Sequence, residues 1–125
     1  VTAENGSNVS VVDTNGHTVI ETIELSGENV RPMDAKVSPD GSRLYVSTGR
    51  GRTVAVIDTA TYEIVGSVEV GTRPWGIALT ADGRYLYAAN GPSNDVSVID
   101  TETLTVVATV AAGERPWGVA IVEGP

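Results

Sequence analysis

Cysteine and phenylalanine are absent from this 125-residue chain, and histidine occurs once. Without thiols there can be no disulfide, no thiolate metal centre and no cysteine nucleophile. A lone imidazole cannot assemble the ordinary zinc ligand sets. His17 falls in Asn15-Gly16-His17, which reads as a hairpin turn on an outer rim with no carboxylates at a telling spacing. Aromatic residues make up 5% of the chain, so a core must come from Val, Ile, Leu and Ala, and a hydrophobic content of 41% is enough for one. No apolar run approaches the length of a membrane span, and no basic segment leads into an apolar one, so membrane insertion is not expected. Bases are few, 8 against 16 acids, and the net charge of −8 opposes contact with a phosphate backbone. Nucleic acid is thereby removed from the expected partners. Gly-x-Ser-x-Gly elbows and phosphate loops are missing too. Gly49-Arg50-Gly51-Arg52 is glycine-rich, but it falls between strands with no helix expected to supply a dipole.

What the chain does have is a tandem repeat. Arg-Pro-Trp-Gly occurs at Arg73–Gly76 and Arg115–Gly118, with a looser copy at Arg31-Pro32, and the three arginines are 42 residues apart. Asp40-Gly41 recurs as Asp82-Gly83, Tyr45 as Tyr87, and Val56-Ile57-Asp58-Thr59 as Val98-Ile99-Asp100-Thr101. One period holds four short runs, Trp75–Thr80, Tyr85–Asn90, Asp95–Asp100 and Thr105–Ala111. They are rich in Val, Ile, Thr and Tyr and bounded by Gly, Pro, Asn or Asp, as strands are. A period in the forties with several such runs per unit is the pattern of β-propeller blades. Ser38-Pro39-Asp40-Gly41 and Ala81-Asp82-Gly83-Arg84 read as type I turns closed by a glycine in the left-handed region. In Asp13-Thr14, Asp58-Thr59 and Asp100-Thr101 the side chains are placed to accept hydrogen bonds from the following turn amides.

The expected fold is all-β, a propeller of four-stranded antiparallel blades, three per chain, in one domain over residues 1–125. Blade one takes 1–30 plus 116–125, blade two 31–72 and blade three 73–115. In this reading Val1–Ala3, Val9–Asp13 and Thr18–Leu25 supply three strands of blade one. Trp117–Val122 is then an innermost strand that completes it, the shared-blade closure that hides sheet edges. Because three blades make a poor ring, two chains arranged head to tail are expected to build one of six blades. That is a homodimer in which each C-terminal strand enters the partner's first blade.

Arg31, Arg73 and Arg115 precede the innermost strands of successive blades, so they are expected to gather around one mouth of a central channel. Guanidinium groups there could bind a carboxylate, a phosphate or an acidic loop. Against this, Glu28, Asp34, Glu69 and Glu114 are available to pair with them. Trp75 and Trp117 are expected to wedge between blades or to cover the channel rim. The first copy departs from the repeat. Met33 stands in place of Trp, Asp34 in place of Gly, and Asp13 to Pro32 is 19 residues where Asp58 to Pro74 is 16. Glu28, Asn29, Arg31, Met33 and Asp34 therefore make the expected specific contact surface, since such contacts concentrate on loops held by a rigid scaffold. The innermost runs Ala35–Ser38, Ile77–Thr80 and Val119–Val122 hold no acid or imidazole for catalysis, and no pattern calls for a metal or a cofactor.

The strings Leu44-Tyr45-Val46-Ser47-Thr48, Asp95–Thr101 and Arg73-Pro74-Trp75-Gly76 resemble the YVTN-family β-propeller repeat, and the resemblance covers nearly the whole chain. The stretch from Asn29 to Ala120 is similar to the C-terminal part of propellers associated with pyrroloquinoline quinone-dependent catabolism in bacteria. This resemblance implies an exported protein, periplasmic or extracellular, usually of seven blades and mostly without established catalysis. It carries no catalytic residue onto positions of this chain. The expected function is a non-catalytic binding or scaffold module that meets a protein or a small anion through its arginine-bearing face. The alternatives are a fragment of a propeller enzyme of the lactonase, lyase or quinoprotein type, and an engineered or truncated blade array that self-assembles.

Overall fold

Every run rich in Val, Ile, Thr and Tyr becomes a strand except the last. The computed structural model describes residues 1–124, and three antiparallel sheets follow one another along the chain. The first holds β1 (Thr2–Ala3), β2 (Asn8–Asp13) and β3 (Thr18–Glu24). The second holds β4 (Ala35–Val37), β5 (Arg43–Ser47), β6 (Thr53–Asp58) and β7 (Ile64–Glu69), and the third β8 (Pro74–Leu79), β9 (Tyr85–Asn90), β10 (Asp95–Asp100) and β11 (Thr105–Ala111). Neighbours in sequence are neighbours in each sheet, so each unit is an up-and-down blade.

The turns explain why each unit folds the same way. Gly41 and Gly83 sit at φ 76° and 73°, and their N–H groups donate to the Ser38 and Thr80 carbonyls at 2.8 Å in both cases. A β-branched residue fits that region poorly. The Asp58 carboxylate accepts from the Ala60 and Thr61 amides at 2.8 and 3.1 Å, Asp100 accepts from Glu102 and Thr103 at 2.9 and 3.2 Å, and Asp13 accepts from Asn15 at 2.9 Å. The same irregularity recurs in all three outer strand pairs, between Val11 and Val12, Val56 and Ile57, and Val98 and Ile99. A bulge there adds local twist to each blade.

The core lies between the sheets. Val9, Ile23 and Leu25 of the first sheet meet Val46, Ala55 and Ile57 of the second. On the opposite face of the second sheet, Tyr45, Val54, Val56, Val68 and Val70 meet Ile77, Leu86, Ala88 and Ile99 of the third. Successive residues of β6 point to opposite faces, so this strand is buried on both sides. Polar groups cross the same junction. The Asp34 carboxylate accepts from the Ile77 amide at 3.0 Å, and the Ser47 hydroxyl donates to the Trp75 carbonyl at 2.6 Å while accepting from the Asp34 amide at 3.0 Å.

Two expectations need correction. Trp117–Val122 is not a strand; residues 112–124 run without a ladder. The segment lies beside β8, with the Gly76 amide donating to the Trp117 carbonyl at 2.8 Å and the Ala81 amide to the Glu123 carboxylate at 2.8 Å. Lacking a partner strand of its own, it forms single hydrogen bonds rather than a sheet edge. The first sheet therefore has three strands within this chain, and Pro125, assigned above to blade one, lies outside the described residues. Finally, Gly49–Gly51, expected as plain loop, forms one 3-10 turn.

Candidate functional site

Two kinds of loop meet at one point of the surface. The entries into β4 and β8 bring Arg31, Met33, Arg73 and Trp75, and the hairpins β1–β2 and β5–β6 bring Glu4, Gly49 and Arg50. Together they line a cavity of about 80 Å³. Its lining thus includes three arginines, one glutamate, one methionine and one tryptophan. Arg31 is tethered, with Nη1 3.1 Å from the Asn5 side-chain oxygen and 3.5 Å from the Glu4 carboxylate. Arg73 takes a left-handed backbone, φ 52°, directly before Pro74. That region is uncommon for a non-glycine residue, and residues before proline favour extended backbone.

Of the residues singled out in the sequence, Arg31, Arg73, Met33 and Trp75 reach the cavity wall. Arg115 does not line it; its amide is tied to the Asn94 side chain at 2.9 Å, and its φ of 51° repeats that of Arg73. Glu28 and Asn29 lie on the exposed connection between the first two blades, outside the lining. Asp34 is committed to the junction between blades two and three and to Lys36, whose Nζ is 3.1 Å away. Trp117 is 68% exposed and stacks on Trp75 with centroids 4.2 Å apart and planes 27° from parallel. Trp75 also lies against Gly91, where any Cβ would collide with the indole ring.

Arg50 and Glu4 were missed. Neither belongs to the repeated motif, and only the assembled loops bring them in. The counter-acids weighed for the arginines were Glu28, Asp34, Glu69 and Glu114, whereas the acid that pairs with Arg31 is Glu4.

Displaced protonation lies elsewhere, in the turns. The Ser38 hydroxyl, helped by the Ser42 amide and hydroxyl, lowers Asp40 to about 2. Asp82 is lowered by the Thr80 hydroxyl and the Arg84 amide. Burial pushes Asp100 up, but the Thr103 and Glu102 amides and the Arg84 guanidinium, 2.8 Å away, outweigh it and lower the carboxyl. These shifts mark turn carboxylates held by hydroxyls and backbone amides, a structural role.

Blades of this kind, packed face to face around loops that converge, define a segment of a β-propeller. The chain belongs to the family described as Cytochrome D1 heme domain, which it matches over residues 1–119. No curated protein sequence matches it. Among solved structures it is similar to the hydrazine synthase of Kuenenia stuttgartiensis, with 28% identity and a TM-score of 0.85 over 92% of this chain and 33% of that one. It is similar in fold to a putative 6-phosphogluconolactonase from Bacteroides fragilis, with 23% identity and a TM-score of 0.79 over 96% of this chain and 37% of that one. It also shares its fold with the dihydro-heme d1 dehydrogenase NirN, with 23% identity and a TM-score of 0.71 over 92% of this chain and 25% of that one. The chain thus spans little more than a third of these structures at most.

The residues present do not fit the haem that the family name implies. Haem iron is ordinarily held by His, Cys, Met or Tyr side chains. The only imidazole, His17, is exposed in an outer hairpin, cysteine is absent, no tyrosine lines the cavity, and no group of three His, Cys, Asp or Glu gathers among the described residues. A cavity of about 80 Å³ is also too small to enclose a haem macrocycle. Met33 is the one soft donor at the wall, beside three guanidiniums that suit carboxylates rather than a metal.

Proposed function

We propose that this span is one wall of a propeller binding site that takes an anionic ligand, carboxylate- or phosphate-bearing, at the mouth formed by Arg31, Arg50 and Arg73. Its own side chains perform no chemistry there. The convergence of three arginine residues on one cavity, in a chain of net charge −8, carries this reading. Like charges gathered on one wall repel one another, and an anion between them relieves that repulsion. Trp75 adds an aromatic surface against which the apolar part of a ligand can rest. The exported, periplasmic setting and the YVTN type of repeat belong to the same proposal, supported by the family match and by the repeated Arg-Pro-Trp-Gly strings.

Calorimetric titration with a di- or tricarboxylate at low ionic strength tests it. Arg50→Ala/Arg73→Ala should weaken binding at least about tenfold, and added salt should weaken the unaltered protein. Equal affinities for both proteins would leave the arginines with the fold alone. All three of the similar structures carry enzyme names, a synthase, a dehydrogenase and a putative lactonase, which supports the alternative of an enzyme fragment. The catalytic groups would then have to come from beyond this chain.

A further inference from the structure

We infer that Glu4 sets how much negative charge the mouth accepts, and that the ligand class it selects is a dianion. The inference rests on reading the cavity as an anion site. The loops Glu4-Asn5-Gly6-Ser7, Gly49-Arg50-Gly51-Arg52 and Gly91-Pro92-Ser93-Asn94 are equivalent, and left-handed Ser7, Arg52 and Asn94 close them at φ 55°, 61° and 59°. At the first position of the loop, blades two and three have glycine and need it. A Cβ on Gly49 would stand 2.8 Å from the Arg31 carbonyl oxygen, and one on Gly91 would strike Trp75. Only blade one places a side chain there, and that side chain is a carboxylate on the cavity wall, 3.5 Å from Arg31.

Its electrostatic consequence follows from counting charges. Arg31, Arg50 and Arg73 contribute three positive charges to the lining and Glu4 one negative. Among the described residues Arg31 is the only one of the three that makes an ion pair. A ligand with two negative charges balances what is left. A monoanion leaves the wall positive, and a third charge on the ligand meets the Glu4 carboxylate. Glu4 and Arg31 are both partly solvated, with side chains 51% and 38% exposed. Pairs of that kind are weak and exchange readily, so Glu4 tunes the site without closing it.

The test is a charge series, propionate, succinate and tricarballylate, titrated calorimetrically into the purified protein at low salt. In the unaltered protein affinity should rise from propionate to succinate and gain little at tricarballylate. Glu4→Gln, which keeps the shape and removes the charge, should tighten binding by about threefold per ligand carboxylate, hence about 3-, 10- and 30-fold along the series. Glu4→Asp should keep the original order. An equal gain for all three ligands, or none, overturns the inference while leaving the anion site standing. If neither the unaltered protein nor Glu4→Gln binds any of the three, both readings fall. Unchanged melting of each variant shows that the comparison is made between folded proteins.

Discussion

Blades two and three present nearly the same residues on their outward faces, and only one of those faces is sealed. Tyr45, Val54, Val56, Val68 and Val70 correspond to Tyr87, Val96, Val98, Val110 and Ala112 along the repeat. Val68 is 4% exposed and Val110 is 53% exposed. Strand β7 buries Val68, whereas β11 is exposed along its whole length. The strand sequences do not cause this difference. Ile77, Leu86, Ala88 and Ile99 cover the outward face of blade two, and among the described residues no further sheet stacks on blade three. A blade cannot bury its own apolar face, and its stability is shared with whatever stacks against it, as in other repeat architectures.

The strongest challenge to this view lies in the sealed region. Ile57→Ala removes a fully buried side chain between blades one and two and should cost about 2–5 kcal/mol in chemical denaturation. A more diagnostic pair follows. Val68→Ala should cost about 2 kcal/mol and Val110→Ala less than about 0.5 kcal/mol, because transfer energy is lost only where the side chain is buried. Equal losses at the two sites would mean that something covers the face of blade three in solution. Next comes the polar clamp, which is not repeated: Gly76 and Gly118 stand where blade two has Asp34. Asp34→Ala strips the Ile77 amide of its acceptor and should cost about 1–3 kcal/mol. Hydrogen exchange should show the Ile77 amide losing protection first.

The smallest effect concerns the turns, which blades two and three have in common. Asp40 titrates at about 2 in the folded chain, below its unfolded value of about 3.9. A depressed carboxyl favours the folded state above the unfolded pKa, and that advantage is lost as pH falls through the folded one. Melting temperatures of the unaltered protein and Asp40→Asn should therefore differ above about pH 4 and converge as the pH approaches about 2. Asp82, lowered by the equivalent contacts, should behave alike. A curve that changes with pH only in the blade-two variant would break the equivalence of the turns.

Much of the fold was legible because each blade is locally determined. Tyr85–Asn90, Asp95–Asp100 and Thr105–Ala111 stand as strands with the bounds read from their turn residues. Gly41 and Gly83 carry the left-handed backbone their turns require. Trp117–Val122 shares its Trp-Gly start and its aliphatic character with β8 but has no ladder, since pairing is decided by a neighbour and not by propensity. The site was half legible. Arg31 and Arg73 could be placed together because the repeat places their backbones, while Arg115 shares the motif and lies outside the cavity. Arg50 and Glu4 occupy hairpin positions where the repeat does not conserve side-chain type, so nothing in the period marks them. Asp34 looked like a departure open to a partner, yet its carboxylate is spent on a backbone amide 43 positions along the chain.

The bulge in every outer strand pair has a further meaning when the chain is considered as a product of gene duplication. Each unit carries its own source of twist and its own carboxylate lock, and blades two and three each their own glycine turn, so a copied unit arrives with the geometry needed to follow the one before it. No compensating change elsewhere is required at the moment of copying. The clamp at Asp34 and the carboxylate at Glu4 are of the opposite kind, one-off residues that no duplication would regenerate. Inheritance by copying supplies the scaffold, and single substitutions at the loops between copies supply whatever distinguishes this segment from a plain array.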